Sequence, residues 1–190
     1  MQTQGVFEMT KVGTQSISPR FRLSVCAAAD LHDYSRRGVT HILSIDTPGF
    51  TTPTPDWFSG AHKHVSFDDV LSLKDARAFN AKEPTAADIR EVLEYGHECL
   101  IESRVEPTHL LIHCRYGASR SPAAAYAILC LRLGEGREVQ AKDLLVRIWP
   151  EAVPNILVVA YADKLLRRQG KMVEVIQALY DQLNEEMKRA

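Results

Sequence analysis

The chain has 190 residues, 25% of them charged and 45% hydrophobic, with a formal net charge of −1 at pH 7. Such a chain is long enough to bury a real core as one domain, residues 1–190. The charge balance excludes a general affinity for nucleic acid or an anionic membrane, and no apolar run is long enough for a membrane span. Residues 1–16 lack the basic-then-apolar pattern of a signal peptide, so a cytoplasmic location is expected.

In chain order, residues 5–12 and 22–28 read as strands. Residues 29–38 read as a short helix, with Asp30 near its start and Gly38 just past its end. Val39 to Ile45 is β-branched and apolar, as in a buried strand. The Pro- and Thr-rich stretch 46–60 is a loop, with room for one helical turn at Asp56–Phe58. Residues 62–67 are a further strand, ending at the pair Asp68–Asp69, and 70–85 read as a long loop. Thr85 and Asp88 make a capping-box pattern at the head of a helix whose Ile89, Val92, Leu93 and Leu100 share a face. Residues 108–113 are a compact apolar strand, and 121–134 an alanine-rich helix closed by Gly134. Helices over 138–149, 155–170 and 171–188 complete the chain. Strands alternating with helices predict an α/β three-layer sandwich, with a short, mostly parallel sheet flanked by helices.

Four cysteines are present, Cys26, Cys99, Cys114 and Cys130, with no C-x-x-C pair to suggest zinc. Cys26, Cys99 and Cys130 read as reduced, buried side chains. Cys26 or Cys130 could also trap Cys114 as a disulfide on oxidation. Cys114 stands in the stretch His113–Cys114–Arg115–Tyr116–Gly117–Ala118–Ser119–Arg120–Ser121, between an apolar strand and an apolar helix. Strand, short Gly-containing loop and helix start form an anion cradle, in which backbone N–H groups converge and the helix dipole adds positive potential. Pro122 falls in the first turn of that helix, where its missing N–H costs nothing.

A cysteine at the start of such a loop favours its thiolate, because helix N-termini and nearby cations lower a thiol pKa from ~8.5 to as little as ~3.5–7.5. Arg120 supplies the cation, and its planar fork matches two phosphate oxygens. The arrangement suits in-line attack by Cys114 sulfur on phosphorus and a phosphocysteine that water then hydrolyses. Ser121 can donate to the sulfur, and His113 can hold the loop from behind. Residues 115–120 supply the substrate-binding surface, with Arg115 and Tyr116 at the pocket mouth. A buried cysteine with a coincidental arginine is the ordinary alternative, and the added His, Gly, Ser and flanks weigh against it. His62 and His64 share one strand face, with no obvious third metal ligand. Trp57 and Phe58 anchor the Pro-rich loop or wall the pocket.

The stretch resembles the H-C-x5-R-[S/T] signature of the cysteine-dependent protein tyrosine phosphatases, and is especially similar to the dual-specificity branch. Residues 31–45 resemble the helix–Gly–strand segment that those enzymes carry upstream. Residues 149–155 resemble their P-x-x-x-P-N turn, which makes Asn155 a brace for the active-site end. The resemblance covers roughly residues 20–168, and the last helix lies outside it. It implies the phosphotyrosine phosphatase type II fold and hydrolysis of phosphotyrosine, with phosphoserine and phosphothreonine as a wider range. It implies catalysis without a metal or organic cofactor, on a phosphorylated protein or a small phosphate ester. It also implies an Asp general acid on a loop after an earlier strand. By position that acid is Asp69, with Asp68 next, and with Asp46 and Asp75 as further candidates. Three other readings stand beside it: the same chemistry on a phosphoinositide, inositol phosphate or RNA; a rhodanese-like sulfurtransferase; and a phosphate-binding module or pseudophosphatase, against which the intact Cys114, Arg120 and Ser121 argue.

Overall fold

The structure, a computed structural model, describes residues 14–18 and 20–189. The expected strand over 5–12 lies outside the described residues. Five strands form one sheet: β1 Thr14–Ser18, β2 Phe21–Ala27, β3 His41–Asp46, β4 Ala61–Ser66 and β5 Thr108–Cys114. Their order is β1-β2-β5-β3-β4, with β1 antiparallel and the other four parallel. A 3-10 helix, Ala28–Tyr34, follows β2. The α-helices are α1 Leu73–Phe79, α2 Ala86–Glu102, α3 Arg120–Leu133, α4 Glu138–Ile148, α5 Ile156–Leu165 and α6 Lys171–Arg189.

The two faces of the sheet differ in chemistry, as strand alternation dictates. Leu23, Val25, Leu43, Ile45, Leu110 and Ile112 point to one face and join the main core with side chains of α2 to α6. Within that layer α3 is central. Its Ala123, Ala124, Ala125, Ala127, Ile128 and Leu129 are all fully buried, which is why its sequence is apolar on every side. Gly96 of α2 lets the two helices meet: a Cβ there would lie 2.5 Å from Cγ1 of Ile128. The opposite face carries Cys26, Ile42 and Leu111 beneath a thinner layer, built from Leu31 and Tyr34 of the 3-10 helix and Phe58 of the Pro-rich loop. Phe58 therefore anchors that loop, with Trp57 edge-on against it at 5.7 Å. Residues 55–58 close a single turn, Phe58 N–H donating to Pro55 O, rather than a helix.

The segment 70–85, expected as a plain loop, contains α1. Its start carries the signal in the sequence: Ser72 caps the helix by accepting from Asp75 N–H at 3.1 Å, and its hydroxyl donates to the Asp75 carboxylate. The Thr85–Asp88 capping box of α2 is present as expected. Helix α5 stops at Leu165, short of the expected 170, because Arg167 and Gln169 adopt left-handed conformations.

Helix α6 is a core element over its first half, with Met172, Ile176 and Leu179 buried. Its N-terminus is held by the buried Asp163 carboxylate, which accepts from Gly170 N–H at 2.7 Å and Met172 N–H at 2.9 Å. Arg168 is buried beside Glu138 and donates to Cys130 O at 3.1 Å. Among the described residues no helix is long and apolar enough to cross a membrane.

Candidate active site

β2, β3, β4 and β5 all point their C-terminal ends at one place, the position where α/β sheets bind ligands. Cys114 is the last residue of β5, and Arg120 and Ser121 open α3. The sulfur is thus at the foot of a loop leading into a helix N-terminus. Cys114 is 2% exposed. The Ser121 hydroxyl donates to its Sγ at 3.2 Å. Burial pushes the thiols of Cys99 and Cys130 up to about 12, and that of Cys26 well above its usual value. These three remain thiols at neutral pH.

Cys26 is paired in register with His113, and Ala27 with Cys114. Cys26 therefore points to the opposite face of the sheet from Cys114, and Cys130 belongs to the core side of α3.

Gly117 sits at the tightest point of the loop, at φ +69°. A Cβ there would lie 2.8 Å from Ala27 N and 2.8 Å from the carbonyl carbon of Cys26. Any side chain would push the loop off the end of β2. Gly117→Ala is expected to cost about 1–3 kcal/mol in stability and to lower turnover by about tenfold or more through misplacement of the loop. Thermal unfolding and kcat of the variant check both. A variant equal to the wild type in both would show that the close approach is unimportant.

The Arg120 side chain is buried, and its Nη1 is anchored. Nη1 donates to Phe67 O at 2.8 Å, and to Asp46 O and Thr47 Oγ1 at 3.3 Å each. These acceptors follow the ends of β4 and β3, so the guanidinium is fixed by the sheet itself. Its Nε is buried without a hydrogen-bond partner among the described residues and lies 3.9 Å from Oδ2 of Asp69. A buried cationic donor that has an ion-pair neighbour but no hydrogen-bond partner is what an oxyanion would satisfy.

The segment after α4 braces this loop. Val153 N–H donates to Ala118 O at 2.8 Å and Asn155 N–H to Ser119 O at 3.1 Å. Asn155 is fully buried. Its Oδ1 caps α5, accepting from Leu157 N–H and Val158 N–H. Its Nδ2 donates to Asp69 Oδ1 at 2.8 Å and to Val70 O at 3.0 Å. Ser119 Oγ donates to the same Asp69 oxygen at 2.6 Å. One residue thus ties together α5, the phosphate-sized loop and the segment carrying Asp69, the loop through its backbone N–H and the others through its side chain.

The other carboxylates are engaged elsewhere. Asp68 accepts from Lys82 N–H at 2.9 Å, pinning the loop beyond α1. Asp75 belongs to the α1 cap. Asp46 is buried, accepting from Thr52 N–H and Oγ1 and lying 2.8 Å from Nδ1 of His64. Arg115 and Tyr116 are exposed at the mouth, the guanidinium 5.4 Å from the Tyr116 ring centroid. Tyr116 is 70% exposed.

His113 is fully buried behind the cysteine on the opposite face. There Ser44 Oγ lies 2.5 Å from Nε2 of His113 and 2.7 Å from Nε2 of His62. A hydroxyl can donate to one ring and accept from the other. His62 is further held by Thr54 at 2.8 Å and lies against His64, ring centroids 4.0 Å apart. The sequence reading left Ser44, Thr47 and Thr54 without a role. Its one signal was parity: Ser44 and Asp46 in β3, like His62 and His64 in β4, are polar residues two apart, hence on one face. Among the described residues no group of three or more His, Cys, Asp or Glu side chains is placed to hold a metal ion.

Burial pushes His62, His109 and His113 each down to about 4. In the unfolded chain a histidine titrates near ~6.5. Between these values the unfolded chain takes up protons that the folded chain refuses, so stability falls as pH drops from about 6.5 to about 4. Urea midpoints measured from pH 7.5 downward are expected to decline through that window, less steeply in His62→Gln. A flat profile there would contradict the neutral histidine network.

Neither a protein-family model nor a curated protein matches the chain by sequence. Solved structures do match it. Human DUSP28 is 18% identical at a TM-score of 0.57, with 82% of this chain and 93% of that one covered. The Yvh1 phosphatase domain from Chaetomium thermophilum is 18% identical at 0.59, covering 85% and 98%. The human tyrosine phosphatase-like serine/threonine/tyrosine-interacting protein is 18% identical at 0.57, covering 80% and 94%. The fold is that of the cysteine-dependent dual-specificity phosphatases.

Proposed function

We propose that this chain is a single-domain, cytoplasmic phosphatase that hydrolyses phosphate monoesters, phosphotyrosine foremost and phosphoserine and phosphothreonine as a wider range. The observation that carries the reading is the set of groups around one sulfur. Cys114 Sγ lies at the foot of a helix N-terminus, Ser121 donates to it at 3.2 Å, and Arg120 is clamped to the sheet with a buried Nε that lacks a hydrogen-bond partner among the described residues.

In the reaction, the Cys114 thiolate attacks phosphorus in line and the bond from phosphorus to the leaving oxygen breaks. Asp69 gives that oxygen a proton. Backbone N–H groups of residues 115–120 and the Arg120 guanidinium hold the equatorial oxygens as charge develops. Water then attacks the phosphocysteine, Asp69 takes its proton, the S–P bond breaks and inorganic phosphate leaves. Ser121 stabilises the departing thiolate by its hydrogen bond. His113 and Asn155 position the loop without touching the substrate. This chemistry calls for no metal or organic cofactor, and the substrate is a phosphorylated protein or a small phosphate ester. The near-neutral charge gives no reason to invoke nucleic acid or membrane.

Steady-state hydrolysis of an aryl phosphate tests the proposal. Turnover is expected to survive EDTA and to be blocked by vanadate. A well-folded protein without turnover, or one that takes sulfur from thiosulfate onto Cys114, would overturn it.

A further inference from the structure

Helix α6 carries an apolar stripe longer than the core it packs on. Met172, Ile176 and Leu179 are buried, but the stripe continues through Tyr180 and Leu183 to Met187, which is 70% exposed. These last turns face two other exposed apolar residues, Leu71 just after Asp69 and Val153 in the bracing segment. Together they wall a mainly apolar groove of about 850 Å³, a size that suits a ligand. The groove does not stand apart from the site above. Asp69, Ala118 and Ser119 line it as well, so it opens directly onto the rim of the bowl that holds Cys114.

We propose that this groove binds the segment next to the phosphotyrosine of a peptide substrate, and that it selects an apolar side chain there over an acidic one. The proposal rests on the phosphatase reading and adds the substrate preference. Continuity with the bowl assigns the groove to the substrate: whatever is esterified to a phosphate on Cys114 must leave past Asp69 and Ser119. Its charge narrows the class. The ionisable groups that line it besides Tyr180 are Asp69 and Glu186, with Asn184 beside them and no cation. A highly phosphorylated headgroup or an acidic peptide flank would find no partner there, whereas an apolar residue would cover Leu71, Val153, Leu183 and Met187. Asn184 can hydrogen-bond a peptide backbone.

The test compares two phosphotyrosyl peptides, one with leucines and one with aspartates on both sides of the phosphotyrosine. kcat/KM for each is taken relative to para-nitrophenyl phosphate, and binding is measured by fluorescence anisotropy on Cys114→Ser. The leucine peptide is expected to lead by about tenfold or more in both measurements. Leu71→Glu and Met187→Glu, at exposed positions that folding tolerates, are expected to bring the ratio to within about twofold of unity. A wild type with no preference, or a preference unmoved by both substitutions, would overturn the proposal. Absent turnover on every ester would count against the phosphatase reading alone, since anisotropy still decides the groove. Binding to phosphatidylcholine vesicles carrying a phosphoinositide, lost in Met187→Glu and without any peptide preference, would assign the groove to lipid instead. A dimer that Met187→Glu dissociates, again without peptide preference, would assign it to a second copy of the chain.

Discussion

Cys114→Ser is expected to lose turnover by about 10⁴–10⁶-fold while unfolding within ~1 kcal/mol of the wild type. The exchange replaces one atom at a 2% exposed position whose neighbour, the Ser121 hydroxyl, can hydrogen-bond oxygen as readily as sulfur. Packing is therefore kept. What is lost is the sulfur nucleophile, for which a serine hydroxyl is a poor substitute. The cradle itself, with Arg120 fixed by Phe67 O, Asp46 O and Thr47, is untouched, so the variant should still bind a phosphotyrosyl ester. A folded variant with appreciable activity would rule out covalent catalysis at this residue.

Asp69→Ala is expected to lower kcat by about 10²–10⁴-fold for a phenyl or alkyl phosphate, and far less for para-nitrophenyl phosphate, whose leaving group departs without a proton. The structure explains why Asp69 is suited. Its Oδ1 is held by Ser119 at 2.6 Å and Asn155 at 2.8 Å, which leaves Oδ2 to face the bowl 3.9 Å from Arg120 Nε. The carboxylates of Asp46 and Asp68 each accept from a backbone N–H instead, and that of Asp75 accepts from the Ser72 hydroxyl. Rates for a series of aryl phosphates of rising leaving-group pKa would show the dependence as a steeper slope in the variant. Equal losses across the series would place the proton donor elsewhere. Because Asn155 and Ser119 grip the same oxygen, Asn155→Ala should show the leaving-group dependence in weaker form.

Much of the fold was legible because its signals are local. The capping box at Thr85, the β-branched run before Asp46 and the alanine-rich helix after Arg120 each follow from periodicity or end chemistry. The cysteine loop was legible for a related reason: nucleophile, turn glycine and arginine lie within one short stretch between a strand and a helix. What the sequence hid is long-range. Helix α1 was missed although Ser72 and Asp75 carry its cap, because the segment around it is otherwise turn-like. Nothing local says that Arg120 is backed by the ends of β3 and β4, or that Ser44 joins His113 to His62. Those contacts arise from strand order, which places β3 between β5 and β4. The groove beside the site was hidden for the same reason. It is made by α6 returning past the loop after β4, far along the chain from Cys114.

Covalent catalysis at Cys114 is tested most directly by quenching the enzyme in mid-turnover with an aryl phosphate and mapping the phosphate by mass spectrometry. A burst of phenol matching the enzyme concentration is expected, with a phosphorylated peptide containing Cys114 that Cys114→Ser lacks. Full turnover without any phosphoenzyme, or phosphate on a different residue, would contradict it.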